Sequence, residues 1–334
     1  MKIKLVGLAF VSAFWVISAA PAVAVYTQIA RLEGEELRVN GPVKKVEIPS
    51  AGTGLKEVYV FNPAGKLIER SSLYRSNERV YNKKVNSYDT SGRKTDSKYY
   101  AEIGSEPSVE LKLRLTTVFK YDDSGNVVEE LEYNGEGKLS ATTVKKSDPK
   151  GNVLEVSGKI PMGIIGLGPS DPAYLREFFK YDDTGRLIEK QSFLADVKVP
   201  LEHRLFEYNA ENRLTCETEI TQTYPDKLPR IAKHFFTYNK QGDVIEMRYY
   251  EPVRESNVEE LREKFQIIDD KGTVKNGTLV SDRPFMILWS VSVCDYTYDL
   301  HGNWTGKTCK WKMRDTKDFV PAGNEVQRII TYYQ

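Results

Sequence analysis

A short unit that recurs along the chain sets the strongest limit on its fold. Residues 119–129 read FKYDDSGNVVE, and residues 179–189 read FKYDDTGRLIE. The copies of this unit begin at Phe61, Tyr88, Tyr121, Ser147, Tyr181, Tyr208, Tyr238, Ile268 and Tyr298. Their mean spacing of about 30 residues lies in the range of repeat architectures. The sequence therefore predicts one elongated repeat domain.

The unit has the chemistry of a tight turn. It reads aromatic residue, Asp or Asn, two free positions, Gly, polar residue and apolar residue. An Asx side chain accepts hydrogen bonds from the main chain that follows it, and Gly tolerates positive φ. Such a turn with a bulge joins the strands of a hairpin. The turn residues predicted in this way include Asp122, Gly125, Asp182, Gly185, Asn239, Gly242, Asp299 and Gly302. Asn212 replaces Gly in one copy, and Asn is the next-best residue at a left-handed position. An extra copy, at half the usual spacing, lies at 133–137.

The flanks of the turns favour strands. They are rich in Tyr, Phe, Val, Ile and Leu, and residues 111–121 alternate apolar and polar side chains, as in a sheet with one buried face. We predict an all-β fold of about nine antiparallel β-hairpin repeats that form one long curled or solenoid-like sheet. Residues 25–57 would form N-terminal strands, with a first hairpin over 36–48, and residues 58–334 the repeat domain.

These units resemble the YD repeat, also called the RHS repeat, whose pattern is Tyr-Asp-x-x-Gly-Arg-Leu. The segment 181–187 matches it fully. The segments 41–47, 301–305 and 328–333 resemble parts of small exported bacterial proteins that carry such repeats. The resemblance implies association with cell surfaces and carbohydrate binding. It also implies a shell around a partner chain, as in the large family members.

The N-terminus has the pattern of a secretory signal peptide over residues 1–24. Lys2 and Lys4 precede an apolar run, and Ala22-Val23-Ala24 is a small-residue cleavage site. The run is short for a membrane span. We therefore expect an exported protein that is periplasmic, cell-surface or secreted and has no transmembrane anchor after cleavage.

Three segments interrupt the repeats. Residues 159–173 are apolar and rich in Gly and Pro, but their spacing is not that of a phosphate loop. Residues 222–230 contain two prolines and are predicted to be a loop. Residues 256–265 begin with a capping-box pattern, which predicts a short helix. We interpret the first segment as a loop over the sheet and the helix as a crossover, with a docking helix as its alternative.

No catalytic constellation is evident. His203, His234 and His301 lie in different repeats without metal-ligand spacing, and no Gly-x-Ser-x-Gly elbow occurs. The 48 Lys and Arg nearly balance the 47 Asp and Glu, so nothing indicates nucleic-acid binding. We predict that the protein is not an enzyme and has no cofactor, metal site or nucleic-acid partner.

Glutamate recurs four residues after the turn glycine. The members are Glu69, Glu129, Glu155, Glu189 and Glu246. One interpretation is an acidic ladder that binds cations or basic partners. The other is that each acid pairs with Lys or Arg on a neighbouring strand.

Two cysteines flank one predicted hairpin. Cys294 and Cys309 would lie near each other, but a simple bulged-turn register pairs residue 294 with 308. A disulfide therefore needs one further register change, and both states stay open. Cys216 would remain free and buried.

Aromatic residues cluster between 289 and 311. The candidate ligand-binding residues are Trp289, Tyr296, Tyr298, Trp304 and Trp311. Rings on a sheet face suit stacking on sugars, and they also suit the cap of a repeat array.

Taken together, these features predict a non-enzymatic exported repeat protein that binds a protein or polysaccharide of the cell envelope. The alternatives are a structural shell or carrier around a partner chain, and a carbohydrate-binding module that uses the aromatic cluster.

Overall fold

A computed structural model provides the fold of this chain. It describes residues 39–49, 54–103, 109–160, 173–194, 200–221, 230–252, 267–269, 274–275, 278–279, 285–314, 316–322 and 325–333. The strands are β1 (Val43–Pro49), β2 (Leu55–Phe61), β3 (Leu67–Tyr74), β4 (Val80–Tyr88), β5 (Lys94–Ile103), β6 (Glu110–Tyr121), β7 (Val127–Asn134), β8 (Leu139–Ser147), β9 (Val153–Ile160), β10 (Ala173–Tyr181), β11 (Leu187–Leu194), β12 (Glu202–Tyr208), β13 (Leu214–Thr221), β14 (Arg230–Tyr238), β15 (Val244–Pro252), β16 (Ile267–Asp269), β17 (Val274–Lys275), β18 (Thr278–Leu279), β19 (Phe285–Tyr298), β20 (Trp304–Met313), β21 (Val320–Pro321), β22 (Val326–Gln327) and β23 (Ile329–Tyr332).

The strands form an antiparallel meander. Each strand from β1 to β14 pairs with the next, β15 pairs with β19, and β19 pairs with β20. β17 and β18 form a separate pair. The terminal segment 325–333 lies between the last long strand and the first, because β22 pairs with β20 and β23 pairs with β1. The predicted all-β array of antiparallel hairpins is confirmed.

The turns have the geometry that the repeated unit predicts. In the hairpin after β10, the main-chain N–H of Gly185 donates to the main-chain carbonyl of Asp182, and Gly185 has φ of 81°. Asn212 takes the same role with φ of 59°. Each hairpin also shifts register just before its turn, as between Lys180 and Tyr181. This bulge matches the twist of the two strands.

Successive connections lie at opposite edges of a meander, and the repeat follows this rule. The turns after β2, β4, β6, β8, β10, β12, β14 and β19 lie at one edge, here called the turn edge. The connections that contain the interruptions at 159–173, 222–230 and 256–265 all start from the other edge, the loop edge. The extra copy at 133–137 joins β7 to β8 at the loop edge, which explains its half spacing.

In several copies the repeated tyrosine ties its hairpin to the preceding one. The Tyr88 hydroxyl donates to the carbonyl of Leu67 at 2.8 Å, and the Tyr208 hydroxyl donates to that of Leu187 at 2.8 Å. In both cases the acceptor lies two residues after the preceding turn glycine. Arg186 adds a second contact, since its guanidinium lies 5.3 Å from the Tyr208 ring. The consensus residues therefore act between repeats as well as within them.

The two faces of the sheet differ in burial. Residues paired in register share a face, so Lys145 lies on one face, called face A, and its neighbour Lys146 on the other, face B. The Lys145 side chain is 1% exposed and forms an ion pair with Glu130. The Lys146 side chain is 68% exposed. Face A therefore contains buried polar and charged groups, and face B presents its cations to solvent.

Parts of the sequence-based description need correction or fall outside the described residues. The prediction of a hairpin over 36–48 is wrong, because its second strand, residues 43–48 in β1, pairs with β2 on one side and with β23 on the other. The signal peptide at 1–24, the helix at 256–265 and most of the interruptions at 159–173 and 222–230 lie outside the described residues. Nowhere in the described part of the chain is there a helix long and apolar enough to cross a membrane.

Candidate functional site

The predicted turn residues lie together along the turn edge and hold the main chain. The Asp182 carboxylate accepts hydrogen bonds from the N–H groups of Thr184 and Arg186. The hydrogen bond from the Arg186 main chain is the main cause that lowers the pKa of Asp182. The Asp122, Asn239 and Asp299 side chains accept equivalent bonds from the main chain four residues on. These carboxylates and amides are therefore occupied by their own turns.

The aromatic cluster divides into two parts. The Tyr296 ring packs against both Tyr298 and Trp304, with ring centroids 6.3 and 6.1 Å away. Trp304 is only 4% exposed, and the Arg328 guanidinium lies 3.3 Å from its ring centroid. The Tyr298 hydroxyl donates to Asp243 at 2.6 Å. This packing favours the cap interpretation for these three residues.

The other two tryptophans are placed differently. Trp289 lies at a register shift in β19, where the guanidinium of Arg314 stacks 4.3 Å from its ring. Trp311 lies opposite Ser292 in β19 and Val320 in β21. The two residues are half-buried. The structure thus places Trp289 near the loop edge, away from the rings that surround Trp304 at the turn edge.

Cys294 and Cys309 form a disulfide. The register change that the bond requires is the bulge beside the turn, between Thr297 and Tyr298, which brings Cys294 directly opposite Cys309. The same bulge occurs in the other hairpins, so the repeat pattern contained the missing signal. Cys216 is a free, buried thiol, and burial raises its pKa to about 11.

The last hairpin joins the two ends of the chain. Asn303, which is buried, accepts a hydrogen bond from the Asn40 N–H at 2.6 Å and donates to the Asn40 carbonyl at 3.0 Å. It also donates to the Tyr332 hydroxyl at 2.8 Å. That hydroxyl donates to Asp299, and its burial and this bond raise the pKa of Tyr332 to about 12. We call this group of residues the seam.

Three of the five recurrent glutamates pair with a lysine across their hairpin. Glu246 instead contacts Arg248 on its own strand, and Glu69 accepts a hydrogen bond from the Ser71 hydroxyl. Glu129 contacts Lys120 at 2.6 Å across its hairpin, and Glu155 contacts Lys146 at 2.8 Å. Glu189 contacts Lys180 at 2.9 Å. The Lys146 hydrogen bond is the main cause that lowers the pKa of Glu155. Of the two interpretations of the ladder, ion pairing is the one that the structure supports.

These pairs reveal a surface that the sequence reasoning missed. On face B of β5–β10 the exposed charged side chains include Lys98, Lys120, Lys146, Arg176 and Lys180, whereas Asp96, Glu129 and Glu155 are partly buried. We call these five cations the cationic patch. The available signal was the lysine at 120, 146 and 180, which immediately precedes residue 121, 147 or 181, where a copy of the repeated unit begins. The whole-chain charge balance concealed it.

Apolar side chains lie among these cations. Val144 and Tyr174 are 42% and 43% exposed. The guanidinium of Arg176 lies 4.9 Å from the ring of Phe178, which packs edge-on against Phe193. The patch can therefore offer both charge and apolar ring surface to a ligand. Within the described residues, no group of three or more His, Cys, Asp or Glu is arranged to hold a metal ion.

Comparison with known proteins gives only distant likenesses. No protein-family model and no curated protein matches the chain. The chain is similar to the solved structure of a porin-like protein from Bacteroides uniformis, with 10% identity and a TM-score of 0.43, over 88% of this chain and 99% of that one. It is similar to the Tc holotoxin pore of Photorhabdus luminescens, with 11% identity and a TM-score of 0.29, over 83% of this chain and 16% of that one. The chain thus spans about a sixth of the toxin chain. At TM-scores below 0.5, these likenesses support no conclusion about this chain.

Proposed function

We propose that this chain is an exported, non-enzymatic binding module whose binding surface is the cationic patch, and that its ligand is an anionic component of the cell envelope. The observation that carries the proposal is that the positively charged side chains of the patch are more exposed to solvent than the glutamates with which they pair. The ammonium groups of Lys120, Lys146 and Lys180 stand out in solvent, while their glutamate partners are recessed. An approaching anion therefore meets cations first.

The existing ion pairs do not oppose such a ligand strongly. An exposed Lys–Glu pair such as Lys120–Glu129 contributes about 0–1 kcal/mol. The buried carboxylate of Glu189 keeps its contacts with Gln191 and His203 when Lys180 turns away. A lysine can turn from its glutamate towards a ligand anion, or contact both, at small cost. Export follows from the predicted signal peptide, and the absence of a catalytic constellation in the sequence is the basis for a non-enzymatic role.

Binding to immobilised polymers tests this function. We expect residues 25–334 to bind anionic polymers such as polygalacturonate or polyglutamate and to ignore neutral dextran, with affinity that falls as salt rises. Replacing Lys120, Lys146 and Lys180 together with Gln should weaken binding at least tenfold. The matched control replaces three exposed lysines elsewhere, Lys66, Lys240 and Lys310.

The control variant has the same net charge as the patch variant, so it separates local from overall electrostatics. If both variants lose the same amount of affinity, or if dextran binds as tightly as the anionic polymers, the cationic patch is not the binding surface.

Two alternatives have weaker support. A sugar platform at 289–311 would need free ring faces, but Trp304 is buried beneath Arg328. A shell around a partner chain would use face A, whose polar residues are already engaged with one another, as Arg204 is with Glu202 and Glu217. Tryptophan fluorescence that responds to neutral sugars would favour the first alternative, and a partner chain co-purifying with the protein would favour the second.

A further inference from the structure

Three of the four lysines of the cationic patch, Lys120, Lys146 and Lys180, occupy equivalent positions in three successive hairpins. Each lies immediately before the turn-edge residue at 121, 147 or 181, and each pairs in register with the glutamate four residues after the turn glycine. The other hairpins described have a different residue there, such as Glu207 and Thr237. The lysines therefore form a row that crosses β6, β8 and β10 and does not continue into the neighbouring hairpins.

The spacing of this row follows from the sheet. Neighbouring strands lie about 4.8 Å apart, and Lys146 and Lys180 each lie two residues, about 7 Å, closer to the turn edge than the cross-strand row of the preceding lysine. Successive lysines are therefore separated by about 12 Å, and Lys120 and Lys180 by about 23 Å. The backbone fixes this repeat, while each side chain can adjust its tip by a few ångströms. A ligand with regularly spaced anionic groups can meet all three ammonium groups, whereas a single small anion meets one.

Apolar surface alternates with the charges along this direction. Val144 lies in the cross-strand row of Lys120, joined to it through Glu129. Phe178 lies in the row of Lys146, joined to it through Glu155. Aliphatic and aromatic surfaces pack well on the C–H faces of sugar rings. An extended acidic polypeptide has no equivalent flat apolar face in its backbone, so this alternation favours a saccharide chain.

We infer that the ligand of the cationic patch is an acidic polysaccharide, which runs across the strands and places successive anionic groups on Lys120, Lys146 and Lys180. This inference rests on the proposed function and adds the ligand class and its direction. Because the three contacts lie on one rigid sheet, each contact after the first forms at a high effective concentration, and affinity should rise steeply with ligand length.

Oligogalacturonates of increasing length test the inference by calorimetry at low salt. For the unaltered protein we expect affinity to rise at least tenfold as the oligomer grows to span about 23 Å, the distance from Lys120 to Lys180, and then to level off. Lys120→Gln or Lys180→Gln, at the ends of the row, should move the levelling point to shorter oligomers. Lys146→Gln, in the middle of the row, should lower affinity without changing the oligomer length at which affinity levels off.

The outcomes separate the inference from the function on which it rests. If no anionic polymer binds, both are overturned. If polymers bind but affinity does not depend on oligomer length, or the three single variants behave alike, the anion-binding function stands and the ordered row is overturned. If polyglutamate binds more tightly than oligogalacturonates of equal charge, the ligand is an acidic polypeptide and the saccharide inference is overturned.

Discussion

The side chain of Asn303 pairs with the main chain of Asn40 as a neighbouring strand would. Its carbonyl accepts the Asn40 N–H at 2.6 Å and its amide donates to the Asn40 carbonyl at 3.0 Å, across 263 residues of sequence. In two other repeats the residue after the turn glycine is also Asn, but Asn152 bonds Asp148 within its own turn. The last repeat thus uses a common position to hold the N-terminal strand.

We expect Asn303→Ala to lower the free energy of unfolding by about 3 kcal/mol, because it removes three hydrogen bonds of a buried side chain, two to the main chain of Asn40 and one to Tyr332, at about 1 kcal/mol each. Asn152→Ala is the matched control and should cost about 1 kcal/mol or less. Urea unfolding measures both. Hydrogen exchange should show faster exchange in β1 and β23 for the Asn303 variant alone. Equal costs for the two variants would contradict a role for Asn303 in the seam.

The left-handed turn positions give a second prediction. Gly185→Ala should destabilise the protein by about 1–2 kcal/mol, because Gly185 has φ of 81°, a conformation that residues with a β-carbon adopt only at a cost. The added β-carbon would meet no atom closer than 3.8 Å, so steric clashes add nothing to this cost. Asn212→Gly should change stability by less than about 1 kcal/mol, because the backbone there already has φ of 59°. Thermal unfolding of the two variants checks this, and a large cost for Asn212→Gly would contradict it.

These positions also show how much the sequence could predict. The spacing of Asx and Gly was sufficient to predict the turns, including Asn212, because turn chemistry is local. The pairing of Val43–Pro49 with Ile329–Tyr332 was missed because the two segments are far apart in sequence and nothing local records their contact. The cationic patch was missed because the recurring lysine at 120, 146 and 180 does not by itself show the difference in exposure between Lys146 and Glu155, which only the folded sheet creates.

Acid should weaken the turns. Main-chain hydrogen bonds lower the pKa of Asp122 and Asp182 in the folded state below the unfolded value of about 4. The stability that they contribute is therefore present above about pH 4 and is lost as pH falls further, through the folded pKa. Asp122→Asn with Asp182→Asn should make urea unfolding less dependent on pH between 5 and 2.5.

Asp123→Asn, at a free position of the same turn as Asp122, is the control for this measurement. Its dependence on pH should stay close to that of the unaltered protein. A double variant that loses as much stability in acid as the unaltered protein would show that other groups control acid unfolding.

The disulfide should stabilise the hairpin that carries the seam. Cys294 and Cys309 are separated by 15 residues, and closing a loop of that size contributes about 3 kcal/mol in the chain-entropy description. Changing both to Ala should lower the free energy of unfolding by about 2–4 kcal/mol. A reductant should destabilise the unaltered protein and leave the double variant unchanged. Sensitivity of the double variant to reductant would contradict this source of stability.

Neighbouring lysines on β8 should differ sharply in their contribution to stability. Lys145→Ala leaves the Glu130 carboxylate, which is 5% exposed, without its ion-pair partner and should cost about 3–5 kcal/mol. Lys146→Ala removes an exposed pair and should cost less than about 1 kcal/mol. Replacing Lys145 with Met and Glu130 with Leu together should recover most of the loss, because no isolated charge then remains buried. Chemical denaturation of the three variants measures the difference, and similar costs for the two lysines would contradict the assignment of the two faces.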